Sequence, residues 1–231
     1  MIRHDLVARQ LDEQLAAHFP GGGPLTVLEA GLGPVERTLR LARAGHRVTG
    51  LEADAAVHAY VGEALDAEDA AVRERVRLVQ GGGQEAGAHF PPGTFDVVLC
   101  HDGLTASHDP ASTLAGLARV LAPGGLLSVM IRNDAALALH PARAGDWEAA
   151  LAAFDFAERA FRLEPMTSLL AGVGVPLRTW YGVQVFTPDD DRRALLPRQL
   201  AAEERAARTD PYRGVAAYLH LCGLRRPAAV G

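Results

Sequence analysis

The sequence predicts an α/β fold with a seven-stranded mixed sheet that helices cover on both faces. Short apolar runs alternate with amphipathic stretches as far as about residue 133, which predicts five strands and the helices between them. Helical connections of this length form right-handed crossovers, and crossovers join parallel strands. Two late apolar runs, 178–186 and 216–226, add the sixth and seventh strands.

The composition is that of an ordinary globular protein. The 231 residues are 48% hydrophobic and 22% charged, which is enough for one domain with a sizeable core. A net charge of −5 disfavours broad, non-specific nucleic-acid binding. Cys100 and Cys222 lie far apart in apolar runs, which indicates buried thiols rather than a metal site. No apolar stretch is long enough to span a bilayer and the N-terminus does not resemble a signal peptide, so we expect a cytoplasmic protein.

The first elements follow from spacing and from glycine positions. Leucines at near-helical intervals predict an amphipathic helix over residues 2–17. After a break at "PGGGP", residues 25–30 read as a buried strand and residues 35–45 as a helix that ends at Gly45. Residues 46–54 then form the second strand.

The middle of the chain continues the alternation. Residues 55–74 are predicted to form one long helix, with Asp54 as its N-cap. Asp109 is the predicted N-cap of the helix that ends at "APGG". The remaining strands of this part are predicted at 75–80, 95–101 and 126–133.

The regular alternation of strands and helices ends in the last third of the chain. Residues 134–161 are predicted to be helical with a break near Pro141, and residues 189–208 form a helical stretch between the two late strands. Charges of opposite sign are interleaved in that stretch, which is typical of a solvated face. No linker, repeat or low-complexity tract appears, so the prediction is a single domain over residues 1–231.

The turn after the first strand and the end of the second indicate a ligand. Gly31 and Gly33 let the backbone approach a bound molecule, although a tight turn without a ligand is an alternative. Glu52 ends the second strand about twenty residues later, where a carboxylate accepts hydrogen bonds from ribose hydroxyls or, alternatively, caps a helix. The pattern favours a nucleoside-containing ligand at this edge of the sheet.

Other candidate residues end strands or carry aromatic rings. His101 ends the fourth strand, where a neutral imidazole could bind a ligand or act as a base, or could be a satisfied structural histidine. His108, which precedes an Asp-Pro pair, is predicted to lie on the surface. Trp147, Trp180 and Tyr181 could form an aromatic wall, or could be core residues.

The turn "RVLAPGGLLSV", combined with the glycine turn and Glu52, resembles the class I S-adenosylmethionine-dependent methyltransferases. Seven segments are similar to the family that contains the tRNA 5-carboxymethoxyuridine methyltransferase: "RHDLVARQLDEQL", "GGGQE", "LCHDGLTASHDP", "LLSVMIRNDAALAL", "AGDW", "YGVQVF" and "DPYRGVAAYLHL". The resemblance implies a Rossmann-like three-layer sandwich whose last strand is antiparallel. It also implies an N-terminal helix over 1–20, a cofactor-binding half over 25–133 and an acceptor-side half over 134–231.

The resemblance further implies which residues contact S-adenosylmethionine. Arg3 would reach the methionine carboxylate, and Glu52 would bind the ribose. Gly83 and Gln84 would flank the adenine, and His101 would lie beside the sulfonium as the candidate catalytic residue. The complete expected cofactor set is Arg3, Glu29, Gly31, Gly33, Glu52, Gly83, Gln84 and His101.

The candidate acceptor-binding residues lie at strand ends or on aromatic side chains of the second half. They are Asp102, Arg132, Asn133, Trp147, Tyr181 and Tyr218. Methyl transfer is an in-line displacement, so the protein has mainly to position the two reactants and exclude water. A carboxylate acceptor carries no proton and needs no catalytic base.

The sequence therefore predicts an S-adenosylmethionine-dependent methyltransferase directed at an oxygen or carboxylate of a small-molecule or nucleoside-like acceptor. A small molecule is favoured over tRNA, and neither a membrane nor a metal is expected. Pro34, Val35 and Glu36 replace a glycine-rich continuation of the turn. That change leaves open the alternative of a non-catalytic or repurposed protein of the same fold.

Overall fold

Seven strands form one sheet in the computed structural model, which describes residues 2–101, 103–155, 160–187 and 196–227. The strands are β1 (Thr26–Ala30), β2 (Arg47–Glu52), β3 (Val76–Gln80), β4 (Phe95–Cys100), β5 (Leu121–Arg132), β6 (Leu177–Val183) and β7 (Tyr218–Leu224). Their spatial order is β3-β2-β1-β4-β5-β7-β6. Strands β1 to β5 pair in parallel, and β7 is antiparallel to both of its neighbours. The predicted mixed sheet with an antiparallel last strand is confirmed.

Helices cover both faces of the sheet. They are α1 (Ile2–His18), α2 (Glu36–Arg43), α3 (Ala55–Asp66), α4 (Ala70–Arg73), α5 (Ala86–His89), α6 (Gly103–Ala106), α7 (Pro110–Val120), α8 (Leu139–Arg143), α9 (Trp147–Asp155), α10 (Leu163–Gly172) and α11 (Pro197–Ala206). Apolar side chains of α1 to α4 pack with one face, around Val27 and Leu99. Those of α5, α6, α7 and α10 pack with the other face, around Leu28 and Val98. The result is the expected three-layer sandwich.

The predicted helix starts and stops are largely confirmed where capping chemistry marks them. The Asp54 carboxylate accepts a hydrogen bond from the Ala56 N–H at 2.8 Å, and that of Asp109 accepts one from the Ser112 N–H at 3.0 Å. Gly45 follows α2 with φ +97°, a conformation in which glycine is unstrained. These local signals therefore fix where α3 and α7 begin and where the chain leaves α2.

Three of the predicted elements differ from the structure. Residues 55–74 form two helices rather than one, with a break at residues 67–69. The break expected at Pro141 falls instead at Gly145, whose φ is +82°, because a proline in the first turn of α8 needs no amide donor. Strand β5 begins at Leu121 and so includes the Pro-Gly-Gly segment predicted as a turn. Helix α10 was not predicted, and residues 189–195 of the predicted helical stretch 189–208 lie outside the described residues.

Two of the predicted absences can be compared with the described part of the chain. No helix within it is long and apolar enough to cross a membrane. No cluster of three or more His, Cys, Asp or Glu side chains that could hold a metal ion occurs among these residues. Cys100 and Cys222 are buried free thiols, as the sequence indicates.

Candidate active site

The carboxyl ends of β1 to β4 surround a cavity of about 260 Å³, here called the edge cavity. The loop after each strand contributes to it: Gly31 after β1, Glu52 at the end of β2, residues 81–84 after β3, and Gly103 with residues 106–108 after β4. In an open α/β sheet this is the edge where ligands bind, next to the point where strand order reverses. Here the reversal lies between β1 and β4.

The wall of the edge cavity is largely backbone, because several positions admit no side chain. Gly31 has φ +78°, and its N–H donates to the Leu51 carbonyl at 2.9 Å. A Cβ on Gly81 would lie 2.6 Å from the His89 ring, and one on Gly103 would lie 3.0 Å from the Ala30 carbonyl oxygen. Glycine at these positions therefore keeps the chain close to the cavity.

Glu52 is the carboxylate of the edge cavity, and the backbone fixes its orientation. Oε2 accepts a hydrogen bond from the Leu32 N–H at 2.7 Å, and Oε1 accepts one from the Asp54 N–H at 2.8 Å. A carboxylate oxygen can accept two hydrogen bonds, so each retains capacity for a ligand hydroxyl. Glu52 therefore stabilises the local turns and still has acceptor capacity for the two hydroxyls of a diol. Ribose binding itself stays a prediction.

The turn after β3 places Gly83 and Gln84 on the opposite wall. The Glu85 carboxylate accepts a hydrogen bond from the Gly82 N–H at 2.8 Å, and the Glu85 N–H donates to the Gly82 carbonyl at 2.9 Å. These two bonds hold the short 3₁₀ helix Gly83–Glu85. Gly83 and Gln84 thus line the same cavity as Gly31 and Glu52, and their contact with an adenine stays a prediction.

The unusual segment Pro34–Glu36 does not fill the edge cavity. Pro34, Val35 and Glu36 line a second cavity of about 500 Å³ between α1 and α2, here called the helix cavity. Val35 is buried in the core cluster below α1 and α2. The altered turn therefore contributes to packing between α1 and α2 and leaves the edge cavity open.

Glu29 lies on the face of the sheet that α1 and α2 cover, rather than in the edge cavity. Its carboxylate accepts a hydrogen bond from Arg37 Nε at 2.6 Å and one from Thr38 Oγ1 at 2.7 Å. The Glu29 side chain is 1% exposed and that of Arg37 is 10% exposed. Glu29 thus binds the first turn of α2 from below, and its direct contact with a cofactor stays a prediction.

His101 also points to the face that α1 and α2 cover. Both of its ring nitrogens have hydrogen-bond partners there. Arg37 Nη1 lies 3.2 Å from Nδ1, and Ser128 Oγ lies 2.7 Å from Nε2. Because Arg37 can only donate, Nδ1 is the acceptor and the ring proton lies on Nε2. Burial lowers the pKa of His101 well below its usual range, and the charge of Arg37 lowers it further. The imidazole is therefore neutral.

The hydrogen bonds continue from His101 across β5 and β7 to α1, on the same face of the sheet. His101 Nε2–H donates to Ser128 Oγ, so the Ser128 hydroxyl is left to donate to His220 Nε2 at 2.7 Å. His220 Nδ1–H then donates to Gln10 Oε1 at 2.8 Å. Burial, followed by the charge of Arg37, lowers the pKa of His220 to about 3. This buried polar chain joins α2, three strands and α1 in one fixed arrangement.

The buried polar chain bears on the proposed catalytic role of His101. The ring lines the helix cavity, and neither ring nitrogen has a free lone pair directed at the edge cavity. A general base needs such a lone pair within hydrogen-bond reach of the proton that it removes. In this arrangement His101 holds the end of β4 against α2, and its role in catalysis stays a prediction.

Comparisons with known proteins agree with this geometry. Residues 28–129, which run from β1 to β5 and include most of the edge cavity, match the family model described as a methyltransferase domain. The tRNA 5-carboxymethoxyuridine methyltransferase of Escherichia coli (strain K12) is 27% identical over 244 residues, covering 98% of this chain and 88% of that protein. Both matches support a methyltransferase that depends on S-adenosylmethionine.

Solved structures share the fold of this chain. The [4+2]-cyclase SpnF aligns with a TM-score of 0.62 and 19% identity, covering 95% of this chain and 81% of the cyclase. The 1,6-didemethyltoxoflavin-N1-methyltransferase of Burkholderia thailandensis, solved with 1,6-didemethyltoxoflavin and S-adenosylhomocysteine, aligns with a TM-score of 0.59 and 20% identity. That alignment covers 98% of this chain and 79% of the other. At these identities the likeness concerns the fold.

The first helix carries Arg3, the residue predicted to reach the methionine carboxylate. Its guanidinium carbon lies 5.0 Å from the centroid of the Tyr218 ring, at the start of β7. The contact brings the N-terminal end of α1 to the carboxyl edge of the sheet. Arg3 and Tyr218 therefore lie together, while their contacts with cofactor or acceptor stay predictions.

Tyr181 lies beneath α1. Its hydroxyl accepts a hydrogen bond from Gln14 Nε2 at 2.6 Å and donates one to Glu13 Oε1 at 3.1 Å. Burial, then the charge of Glu13, raises the pKa of Tyr181 to about 12. The ring stacks on His220 at 5.9 Å and lines neither the edge cavity nor the helix cavity. Tyr181 thus packs against the buried polar chain at His220, and its acceptor contact stays a prediction.

A third cavity, of about 860 Å³, lies after β5 and includes Asn133 and Trp147. The Asn133 amide donates to the carbonyl oxygens of Gly214 and Ala216 at 2.9 and 2.8 Å, so it holds the loop before β7. Arg132 is exposed at the end of β5. Asp102, the other predicted acceptor residue, lies outside the described residues.

Three residues of the site have no clear signal in the sequence: Ser107, His108 and Thr113. All three line the edge cavity, and Ser107 Oγ lies 2.8 Å from Thr113 Oγ1. His108 had been assigned to the surface; it is exposed and also lies at the rim of the cavity. The signal was present in the topology, since a loop after β4 must cross the point where strand order reverses.

Proposed function

We propose that this methyltransferase binds S-adenosylmethionine in the edge cavity and transfers its methyl group to an oxygen, in the simplest case a carboxylate, of a small-molecule or nucleoside-like acceptor. The observation that carries the proposal is the Glu52 carboxylate, held by two backbone N–H groups beside a wall of backbone. Glu52 would bind the ribose hydroxyls, Gly31 would admit the chain of the cofactor, and Gly83 and Gln84 would flank the adenine.

The chain's own contribution to the reaction is positioning. S-adenosylmethionine, when bound, supplies an electrophilic methyl group on a sulfonium that leaves as a neutral thioether. An ionised carboxylate attacks without losing a proton, so the full use of both His101 nitrogens within the chain is compatible with this acceptor. Alignment of the acceptor oxygen with the methyl group then supplies most of the acceleration, because the reaction becomes effectively unimolecular.

Two observations guide the choice of acceptor. The Escherichia coli relative is named for a uridine that bears a carboxymethoxy group, which supports a carboxylate on a nucleoside-like molecule. The net charge of −5 works against the phosphate contacts on which RNA binding depends, and so supports a small molecule over tRNA. We therefore favour a free small acid.

The cofactor proposal predicts that Glu52→Gln weakens S-adenosylhomocysteine binding by about 10- to 100-fold, the value of a hydrogen bond to a charged group. Isothermal titration calorimetry at constant salt measures the change. Glu74→Gln, which makes the same substitution at an exposed position, is the control and leaves the affinity unchanged. A wild-type protein that binds neither S-adenosylmethionine nor its product at millimolar concentration contradicts the proposal and favours the non-catalytic alternative.

The acceptor proposal predicts the chemical behaviour of the transferred methyl group. The protein is incubated with methyl-labelled S-adenosylmethionine and a pool of small organic acids, and the label is then followed. Methyl esters release labelled methanol in mild base, whereas methyl ethers and methylamines do not. We expect base-labile label in the small-molecule fraction. Base-stable label rules out a carboxylate, and label that a nuclease releases from added tRNA places the acceptor in RNA.

A further inference from the structure

The third cavity, here called the tryptophan cavity, lies one strand along the sheet from the edge cavity. It begins at Asn133 and Asp134, directly after β5, and β5 pairs with β4, which carries the last loop of the edge cavity. Adjacent strands lie about 4.8 Å apart, so the two cavities open at neighbouring strand ends. Its volume, about 860 Å³, falls within the range of small-molecule sites. An acceptor must lie next to the cofactor, and this cavity has that position.

One wall of the tryptophan cavity is an apolar stripe on α9. Trp147, Leu151 and Phe154 are spaced so that they share one helix face, and all three line the cavity. They are 67%, 70% and 77% exposed, respectively. Large apolar side chains grouped in this way mark a surface that another molecule covers. A cavity behind the stripe indicates that this molecule is small.

The opposite wall contains Trp180. A side chain that does not itself line the cavity packs against the Trp180 ring. The Arg213 guanidinium carbon lies 3.9 Å from the centroid of the Trp180 ring. Asp210 holds that guanidinium through two hydrogen bonds, from Nε at 2.7 Å and from Nη2 at 2.8 Å. A stacked and ion-paired arrangement fixes the ring before any ligand arrives, and a preorganised ring loses little entropy on binding.

The charges of the tryptophan cavity disfavour an anionic group within it. Arg162 is the one cationic side chain among the described lining residues, and its Nε lies 2.5 Å from Asp134 Oδ2. Glu164 adds a further negative charge to the lining. A phosphate or sulfonate would meet a net negative wall with its single cation already paired. The lining therefore favours an uncharged ligand body.

We propose that the tryptophan cavity holds the body of the methyl acceptor, and that this body is a planar, uncharged and largely apolar ring system stacked against Trp147 and Trp180. The assignment rests on the proposed function, because it names the substrate class for the same reaction. The reacting oxygen projects from the ring system towards the end of β4. Stacking on tryptophan supplies affinity for a flat ring in addition to the area that it buries.

The two tryptophans make the test direct, since the chain has no others. The probe is N-phenyl-1-naphthylamine, which is uncharged and apolar, and its binding is followed by the loss of tryptophan emission. Trp147→Ala, which leaves Trp180 as the reporter, and Leu151→Asp each weaken binding by about tenfold or more, as expected for residues at the centre of a contact. The sulfonate analogue 8-anilinonaphthalene-1-sulfonate binds more weakly than the uncharged probe.

Controls separate this inference from the proposed function. Tyr60→Ala removes an exposed aromatic side chain from the helix cavity and leaves probe binding unchanged. The Trp147→Ala and Leu151→Asp variants keep wild-type affinity for S-adenosylhomocysteine by calorimetry, which also shows that they fold. In the labelled-methyl assay the uncharged probe suppresses transfer without lowering that affinity.

Three results would overturn the assignment: probe binding that neither variant weakens, tighter binding of the sulfonate, and unaltered methyl transfer at saturating probe. A wild-type protein that fails to bind S-adenosylhomocysteine overturns the proposed function instead, whatever the probe does.

Discussion

An Arg37→Met variant is expected to lose about 3–5 kcal/mol of unfolding free energy, the range for breaking a buried ion pair from one side. The substitution leaves the Glu29 carboxylate with the Thr38 hydroxyl but without the cation that lies 2.6 Å away. It also removes the donor to His101 Nδ1. A charge that stays buried without a partner is costly, because the protein interior replaces neither its hydration nor its counterion. Denaturant unfolding followed by circular dichroism measures the loss.

The same helix supplies the control for this prediction. Arg43 pairs with Glu68 at 2.5 Å, but their side chains are 48% and 17% exposed. Arg43→Met should therefore have a much smaller effect, because a solvent-exposed ion pair contributes little to stability. Combining Arg37→Met with Glu29→Gln should recover part of the loss, because the buried charge is then removed. Equal effects of Arg37→Met and Arg43→Met would contradict the role assigned to the buried pair.

Acid should destabilise the protein through His220, and a His220→Gln variant should reduce that sensitivity. Burial lowers the pKa of His220 to about 3 in the folded protein, whereas the ordinary value, which the unfolded chain keeps, is about 6.5. Between these values the unfolded chain binds more protons than the folded one, so stability falls as pH falls from 6.5 towards 3. One group contributes up to about 1.4 kcal/mol for each pH unit in that window. Above pH 6.5 His220 contributes no pH dependence.

The measurement is the free energy of unfolding at half-unit steps of pH between 4 and 8. In His220→Gln the slope below pH 6.5 is smaller, because glutamine can bond to Ser128 and Gln10 but does not titrate. His108→Gln, at an exposed position, keeps the wild-type slope. If wild type and His220→Gln show the same slope, the buried neutral histidine is not a source of acid sensitivity.

Local chemistry accounts for the parts of the fold that the sequence predicts well. Period-two and helical spacing locate all seven strands and most helices, and Asp54 and Asp109 mark helix starts by hydrogen bonds that close within three residues. The break at residues 67–69 was missed because no glycine or proline marks it. Strand β5 was begun too late because Pro-Gly-Gly is ordinarily a turn, whereas here it lies in a strand with a register irregularity against β4.

The candidate site divides along the two faces of the sheet. Gly31, Glu52, Gly83 and Gln84 meet in one cavity, because they follow parallel strands at the same edge. His101 also follows a parallel strand at this edge, yet it points to the face that α1 and α2 cover. Side chains alternate along β4, so His101 lies on the same face as Leu99. The buried polar chain lay beyond sequence reasoning, since Gln10 and His220 are 210 residues apart and no local pattern records their contact.

A crystal structure of the complex with S-adenosylhomocysteine tests the central claim most directly. We predict the adenosine in the edge cavity, both ribose hydroxyls within hydrogen-bond distance of the Glu52 carboxylate, and the adenine against Gly83 and Gln84. Adenosine found in the helix cavity or the tryptophan cavity, with Glu52 making only its bonds to the Leu32 and Asp54 amides, would contradict the assignment.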